Sequence, residues 1–168
     1  PPTPPPTGKC VPVKRPPAPK ASTIPINKRP HFISILVDDL GWDDTQIHNN
    51  GTWFTPTVGK LVHDEGILLQ RHHTYLWCSP TRRAFLSGRF PVHITGTQAP
   101  MCSNYLPLQF TILSEKLAAA EYESHFVGKG HLGYHTADHL PVNRGFQSHV
   151  GYLGGGEQYT YGCTYGSK

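Results

Sequence analysis

A run of mostly apolar, β-branched residues, HFISILV at positions 31–37, most constrains the fold of this chain. Apolar side chains at consecutive positions are typical of a strand that is buried on both faces of a parallel sheet. Helices must cover both faces of such a sheet, so the run predicts a layered α/β arrangement. Pro30 precedes the run and the acidic pair Asp38–Asp39 follows it, and these residues predict its two ends.

The segments that follow alternate between helix and strand patterns. Residues 55–66 predict a short helix, with Thr55 as the N-cap and Pro56 at the first helical position. Residues 67–73, ILLQRHH, predict a second buried strand.

Further elements continue this alternation. A helix is predicted from Ser79, as its N-cap, to a stop at Gly88. A longer helix is predicted over residues 111–123, and a third strand over 124–128. Strands that alternate with helices indicate an α/β domain, with a mostly parallel sheet flanked by helices.

Charge and proline are concentrated at the start of the chain. Residues 1–30 hold six basic residues, no acidic residue and 11 of the 17 prolines. Such a segment cannot bury enough apolar surface to fold alone, so a Pro-rich basic tail or linker is predicted for 1–30 and the globular part for 31–168. No basic face with interleaved aromatic residues indicates nucleic-acid binding, and no apolar run is long enough for a membrane span.

Residues whose side chains can bind ligands or take part in reactions follow the predicted strands. Asp38 and Asp39 come after the first strand, Cys78 shortly after the second, and the loop 129–131 after the third. Ligands of open α/β sheets bind beyond the carboxyl ends of the strands. The alternation therefore predicts that these residues share one edge of the sheet.

Two interpretations of the acidic pair remain open. Adjacent carboxylates after a buried strand repel each other unless a cation neutralises them, and oxygen ligands favour a hard cation such as Ca²⁺ or Mg²⁺. Alternatively, Asp38 and Asp39 are loop acids, one capping a helix and one solvated.

The segment YLWCSPTRRAFLSGR, residues 75–89, predicts an anion site. Cys78 just before a helix N-terminus lies near unpaired N–H groups, and Arg82 can present its guanidinium to the same place. The alternative is a buried structural cysteine with a surface arginine. Arg83 and Arg89 are interpreted as surface or structural charges.

The loop after the third predicted strand holds a lysine and a histidine between glycines. Lys129 can bind an anionic group, and His131 can move a proton near neutral pH. The alternative is a solvated lysine and a histidine that bonds to the backbone.

These segments together resemble the sulfatase family, the arylsulfatase-type branch of the alkaline phosphatase superfamily. The cysteine segment matches the family signature C-x-P-x-R, followed by a leucine and a glycine–arginine pair. The other matching segments agree with it in order and spacing: ILVDDLGWDD, TPTVGKLVHDEGILLQRHH, LSEKLAAAEYESHFVGKGHLG and RGFQSHVGYLGG. The resemblance implies an alkaline phosphatase-like α/β fold.

The resemblance also implies a modified cysteine and a metal ion. Cys78 would be converted in the endoplasmic reticulum to formylglycine, whose hydrated aldehyde is the nucleophile. One hydroxyl attacks sulfur and releases the alcohol, and the other then expels sulfate. Asp38, Asp39 and the modified Cys78 would bind one calcium ion, which polarises the sulfate.

The same resemblance assigns roles to the remaining site residues. Arg82 would stabilise the formylglycine hydrate, Lys129 would bind sulfate, and His131 would assist proton transfer. Gly130 stands where the family has tryptophan, which is expected to loosen the loop.

The implied function is a sulfuric ester hydrolase acting on aryl or carbohydrate sulfates. Its implied partners are the substrate and the formylglycine-generating enzyme, and its implied location is the secretory pathway, extracellular or lysosomal. Family members are longer and carry further metal ligands, so the resemblance implies an N-terminal portion that is inactive alone, needing the missing C-terminal part. Two alternatives stay open, namely a phosphodiesterase or phosphonate hydrolase of the same superfamily, and a truncated, inactive binding or structural module.

Overall fold

The chain forms two compact units in the computed structural model. The described residues are 23–49, 51, 54–94, 105–158 and 163–164. The small unit is Pro30–Thr74, and the large unit contains the described residues up to Arg29 and from Tyr75 onward. The predicted tail falls mostly on residues 1–22, which lie outside the described residues, so the division at residue 30 stays a prediction.

The small unit contains the first predicted helix. Helix α1 spans Pro56–Lys60 and continues as a π-helical turn, Leu61–Glu65, up to Gly66. Thr55 lies at the N-cap position, where its hydroxyl accepts a hydrogen bond from the Gln46 N–H at 3.1 Å. The helix predicted for this segment is confirmed.

The two strands predicted in the small unit are wrong. Residues 31–37 and 67–73 are not in strands, and their apolar side chains are exposed: Ile33 is 88% exposed, Ile35 82% and Ile67 86%. A strand exists only when neighbouring strands take up its N–H and C=O groups. No strand ladder forms within the described residues of the small unit, so these β-prone segments have no strand partner there.

The large unit begins its regular structure at the cysteine. Helix α2 spans Cys78–Ser87, so Cys78 is its first residue and the predicted cap, Ser79, lies inside the helix. Gly88 ends α2 in the left-handed region at φ 65°, and its N–H donates to the Ala84 carbonyl at 2.8 Å. Glycine adopts this conformation without a side-chain clash, so the predicted stop is confirmed.

Helix α3, Leu113–Ala119, is shorter than the predicted span of 111–123. Its first turn is held by Glu115, whose carboxylate accepts the Ile112 N–H at 2.8 Å. Beyond the helix, Glu121 has a φ of 64°, a left-handed conformation that cannot continue the helix.

The end of α3 also holds Arg29. The Arg29 guanidinium donates to the Ala120 carbonyl and pairs with the Glu121 carboxylate at 2.8 Å. It also lies 5.9 Å from the centre of the Tyr122 ring. A cation at a helix C-terminus satisfies carbonyls that have no partner within the helix.

A parallel pair of strands lies beside these helices. Strand β1, His125–Val127, pairs in parallel with β2, Ser148–Val150, with Phe126 opposite His149. The third predicted strand is therefore confirmed. A second pair, β3 (Glu157–Gln158) and β4 (Cys163–Thr164), is antiparallel.

The core of the large unit lies between α2, α3 and the loop after β1. Among the described residues, the buried core cluster is Ile94, Leu106, Ile112 and Leu132, and Leu86, Phe110 and Phe146 pack against it. Burying one such side chain contributes about 1.5–3 kcal/mol to folding.

Arg144 is buried beside this core, 2% exposed. It donates to the carbonyls of Leu106 at 3.1 Å and Phe110 at 2.6 Å, and pairs with Glu115 at 3.4 Å. The next residue, Gly145, has a φ of 86°, and a Cβ there would lie 2.7 Å from the Glu115 nitrogen. Arg144 and Gly145 therefore join the segment before β2 to the start of α3.

Candidate active site

Cys78 is the free, half-buried first residue of α2. The segment before it is tied to the helix by Thr81, whose hydroxyl accepts the Tyr75 N–H at 3.1 Å and donates to the Trp77 carbonyl at 2.9 Å. The second variable residue of the C-x-P-x-R pattern thus holds the approach to the cysteine. The first turn of a helix presents unpaired N–H groups, which favour negative charge nearby.

Arg82 and the loop after β1 lie together. The Arg82 Nη1 donates a hydrogen bond of 2.7 Å to the carbonyl of Lys129. Both side chains are buried, each 8% exposed. A buried guanidinium and a buried ammonium are each costly unless an anion or other acceptors offset their charge. Arg82 and the Lys129 loop lie together as expected, although the strand predicted at 67–73 does not precede the cysteine segment.

The loop itself is an extension of the parallel pair. Past β1, the Gly130 N–H donates to the Tyr152 carbonyl at 2.8 Å, and the His131 N–H donates to the Leu153 carbonyl at 3.0 Å. Gly130 is buried, and a Cβ there would lie 3.3 Å from the Tyr152 oxygen. The backbone is therefore held at Gly130 and at the residue that follows it.

His131 is positioned by close packing. Its φ of 53° is left-handed, which is uncommon for a residue with a side chain. Its ring lies against Gly155, where an added Cβ would be 2.5 Å from Cε1 and 2.8 Å from Nε2. The ring occupies the space that a side chain at position 155 would need.

Asp38 and Asp39 lie in the small unit and are exposed. One carboxylate oxygen of each lies within 4.8 Å of the other. Asp39 has a left-handed φ of 52°, so the chain turns sharply at the pair. Two close carboxylate oxygens are a donor set that fits a hard cation such as calcium.

The sequence comparison decides the family. The sulfatase family model matches residues 30–167. The chain belongs to the sulfatase family.

Individual sulfatases are similar to most of this chain. Arylsulfatase J of Mus musculus is 39% identical over 153 residues, which cover 88% of this chain and 24% of that protein. Arylsulfatase G of Homo sapiens is 34% identical over 139 residues, covering 82% of this chain and 26% of that protein. This sulfatase chain thus spans about a quarter of the length of the curated relatives it matches.

A solved structure agrees with this assignment. The crystal structure of Ps i-CgsB is 29% identical, has a TM-score of 0.56, and is matched over 72% of this chain and 27% of that one. The predicted α/β, alkaline phosphatase-like fold is therefore confirmed, with a sheet that is incomplete in this chain. No helix among the described residues is long and apolar enough to cross a bilayer.

Two arginines of the sulfatase signature segment agree with their interpretation as surface or structural charges. Arg83 is 6% exposed, and burial lowers its pKa. Arg89 lies over the Phe110 ring, with its guanidinium carbon 4.7 Å from the ring centre. Both are structural charges, and Arg83 is not at the surface. The helical spacing of three residues from Arg83 to the half-buried Leu86 is a signal that could have indicated its inward face.

Proposed function

We propose that the protein to which this chain belongs is a sulfuric ester hydrolase of the arylsulfatase type. The observation that carries the proposal is a hydrogen bond between two segments that both match the family pattern. Arg82, from the C-x-P-x-R segment, is hydrogen-bonded at 2.7 Å to the Lys129 carbonyl in the glycine-bracketed loop. A buried guanidinium and a buried ammonium near a helix N-terminus suit the sulfate group of an ester.

A modified residue and a metal ion complete the proposal. Formylglycine made from Cys78 supplies, when hydrated, the hydroxyl that attacks the sulfur of the ester. Asp38 and Asp39, with the modified Cys78, would hold calcium, which supplies positive charge beside the sulfate oxygens.

The chain's own residues bind and orient the substrate. Arg82 is held by its bond to the Lys129 carbonyl, and its guanidinium would stabilise the formylglycine hydrate. Lys129 binds a sulfate oxygen through its ammonium. His131 exchanges a proton with the hydrate hydroxyl, and its close packing on Gly155 sets the direction of the ring.

The substrate class and location follow from the same proposal. The substrate is an aryl or carbohydrate sulfate ester. Because formylglycine is made in the endoplasmic reticulum by its generating enzyme, we place the protein in the secretory pathway, with an extracellular or lysosomal destination.

Mass spectrometry of the Cys78 peptide tests the modification. The full-length protein is purified from a secretory pathway that contains the generating enzyme. We expect an aldehyde at position 78, and a peptide with an unmodified thiol would overturn the catalytic proposal.

A pair of arginine variants tests the anion site. Removing one donor to developing charge costs on the order of 10²–10³-fold in rate, so Arg82→Lys should lower kcat/KM for an aryl sulfate about 10²-fold. Arg89→Lys is the matched control, because Arg89 packs on Phe110, and it should stay within about twofold. Equal losses in both variants, or faster turnover of an aryl phosphodiester than of the sulfate, would contradict the proposal.

Calcium titration tests the acidic pair separately from turnover. We expect Asp38→Asn and Asp39→Asn each to weaken calcium binding in calorimetry, since each removes a charged oxygen ligand. Unchanged calcium affinity in both variants would exclude the pair from the metal site.

A further inference from the structure

We infer that Asn50 is an N-glycosylation site. The triplet Asn50-Gly51-Thr52 is the chain's single Asn-X-Ser/Thr sequence, and its middle residue is not proline. None of its residues takes part in the proposed hydrolysis. The inference rests on the proposed function in one respect, since the protein must pass through the secretory pathway for a glycan to be attached.

The described neighbours of the triplet lie at the surface or bond within their own loop. Gly51 is exposed, and Phe54 is 53% exposed. The neighbouring Asn49 is engaged within its own loop: its Oδ1 accepts the Gly51 N–H at 3.1 Å, and its Nδ2 donates to the Asp43 carbonyl at 3.4 Å. A bulky, solvated modification belongs in such an exposed loop.

Attachment of the glycan to Asn50 needs no oxidant or reductant. The Asn50 amide nitrogen attacks the anomeric carbon of an oligosaccharide carried on a lipid diphosphate. A C–N bond forms as the C–O bond to the diphosphate breaks. The nitrogen loses one proton, and the lipid diphosphate leaves with the electron pair.

Glycosidase treatment in heavy-oxygen water reads the site directly. Peptide N-glycosidase converts a glycosylated asparagine to aspartate that carries the heavy isotope. Spontaneous deamidation of Asn50 before treatment leaves ordinary oxygen, and a digest kept in heavy-oxygen water without the glycosidase gives the background from deamidation during treatment. We expect labelled aspartate at position 50 in the full-length secreted protein.

Four variants make the test specific. Asn50→Gln and Thr52→Ala destroy the triplet and should reduce the label at this peptide to background. Thr52→Ser keeps the hydroxyl, and Asn49→Gln keeps the triplet, so both should retain the label.

The result is separable from the proposed catalytic function. A position-50 peptide without heavy label, from wild-type secreted protein, would overturn the inference whatever the state of Cys78. A labelled peptide beside an unmodified Cys78 thiol in the same digest would uphold the inference and sink the formylglycine proposal.

Discussion

Replacing Gly155 by alanine should displace the His131 ring and lower activity, although His131 itself is unchanged. The new Cβ would lie 2.5 Å from Cε1, 2.8 Å from Nε2 and 3.1 Å from Nδ1 of the ring, where ordinary contacts begin at 3.4 Å. Gly155 does not have a positive φ, so alanine itself fits the backbone. The ring must therefore retreat by about 1 Å.

A displacement of that size is large for a residue that must meet a reacting group. A shift of about 1 Å can cost about 10²-fold in rate, equal to about 2.7 kcal/mol of transition-state stabilisation. We expect Gly155→Ala to lower kcat/KM of the full-length enzyme for an aryl sulfate by about that factor. Overpacking should also cost about 1–3 kcal/mol of stability, measured by denaturant unfolding.

A double-mutant cycle separates positioning from general damage. In a His131→Ala background the ring is absent, so adding Gly155→Ala should change the residual kcat/KM by less than about twofold. Wild-type activity in the single variant would refute the steric reasoning. An equal loss in both backgrounds would show that Gly155 acts through something other than His131.

Three further predictions concern the support of the site. Thr81→Val removes the hydroxyl that holds residues 75–77, so amide hydrogen exchange in that segment should become faster. Thr81→Ser keeps the hydroxyl and should exchange near the wild-type rate. Equal exchange in all three proteins would contradict this. Arg144→Met leaves buried acceptors without a donor and should cost about 3–5 kcal/mol in urea unfolding, and a loss below about 1 kcal/mol would contradict the buried pairing. Burial lowers the pKa of Arg83, so its charge costs stability at neutral pH, and the cost is relieved only as the pH rises through the lowered folded pKa. Arg83→Met should therefore be neutral or stabilising at neutral pH, and a loss above about 2 kcal/mol would refute this.

Local signals predicted part of the fold well. Gly88 stops α2 and residues 125–127 form a strand, because a glycine marks the left-handed turn and a short segment with Phe126 and Val127 favours a strand. The strands predicted at 31–37 and 67–73 failed because a strand depends on distant partners. An apolar pattern indicates that a segment can be buried in a sheet, but it does not identify the neighbouring strand that would pair with it.

The candidate site was predictable only in part. Arg82 meets the Lys129 loop as expected, but the strand predicted at 67–73, from which that expectation was argued, does not form. The burial of Arg144 could not be predicted, because a long charged side chain is usually exposed and its burial depends on non-local acceptors. The role of Gly155 was equally hidden, since it arises from a ring 24 positions earlier in the chain.

The clamp of Arg29 on the end of α3 sets a limit to how far the N-terminus can be shortened. Its partners at Ala120 and Glu121 lie about ninety positions along the chain, and its Nε also donates to the Ile24 carbonyl at 2.8 Å. Removing residues 1–22 leaves each of these contacts in place. A truncation that passes Arg29 removes its guanidinium from the Ala120 carbonyl and the Glu121 carboxylate, so tolerance to trimming should end abruptly between these two points.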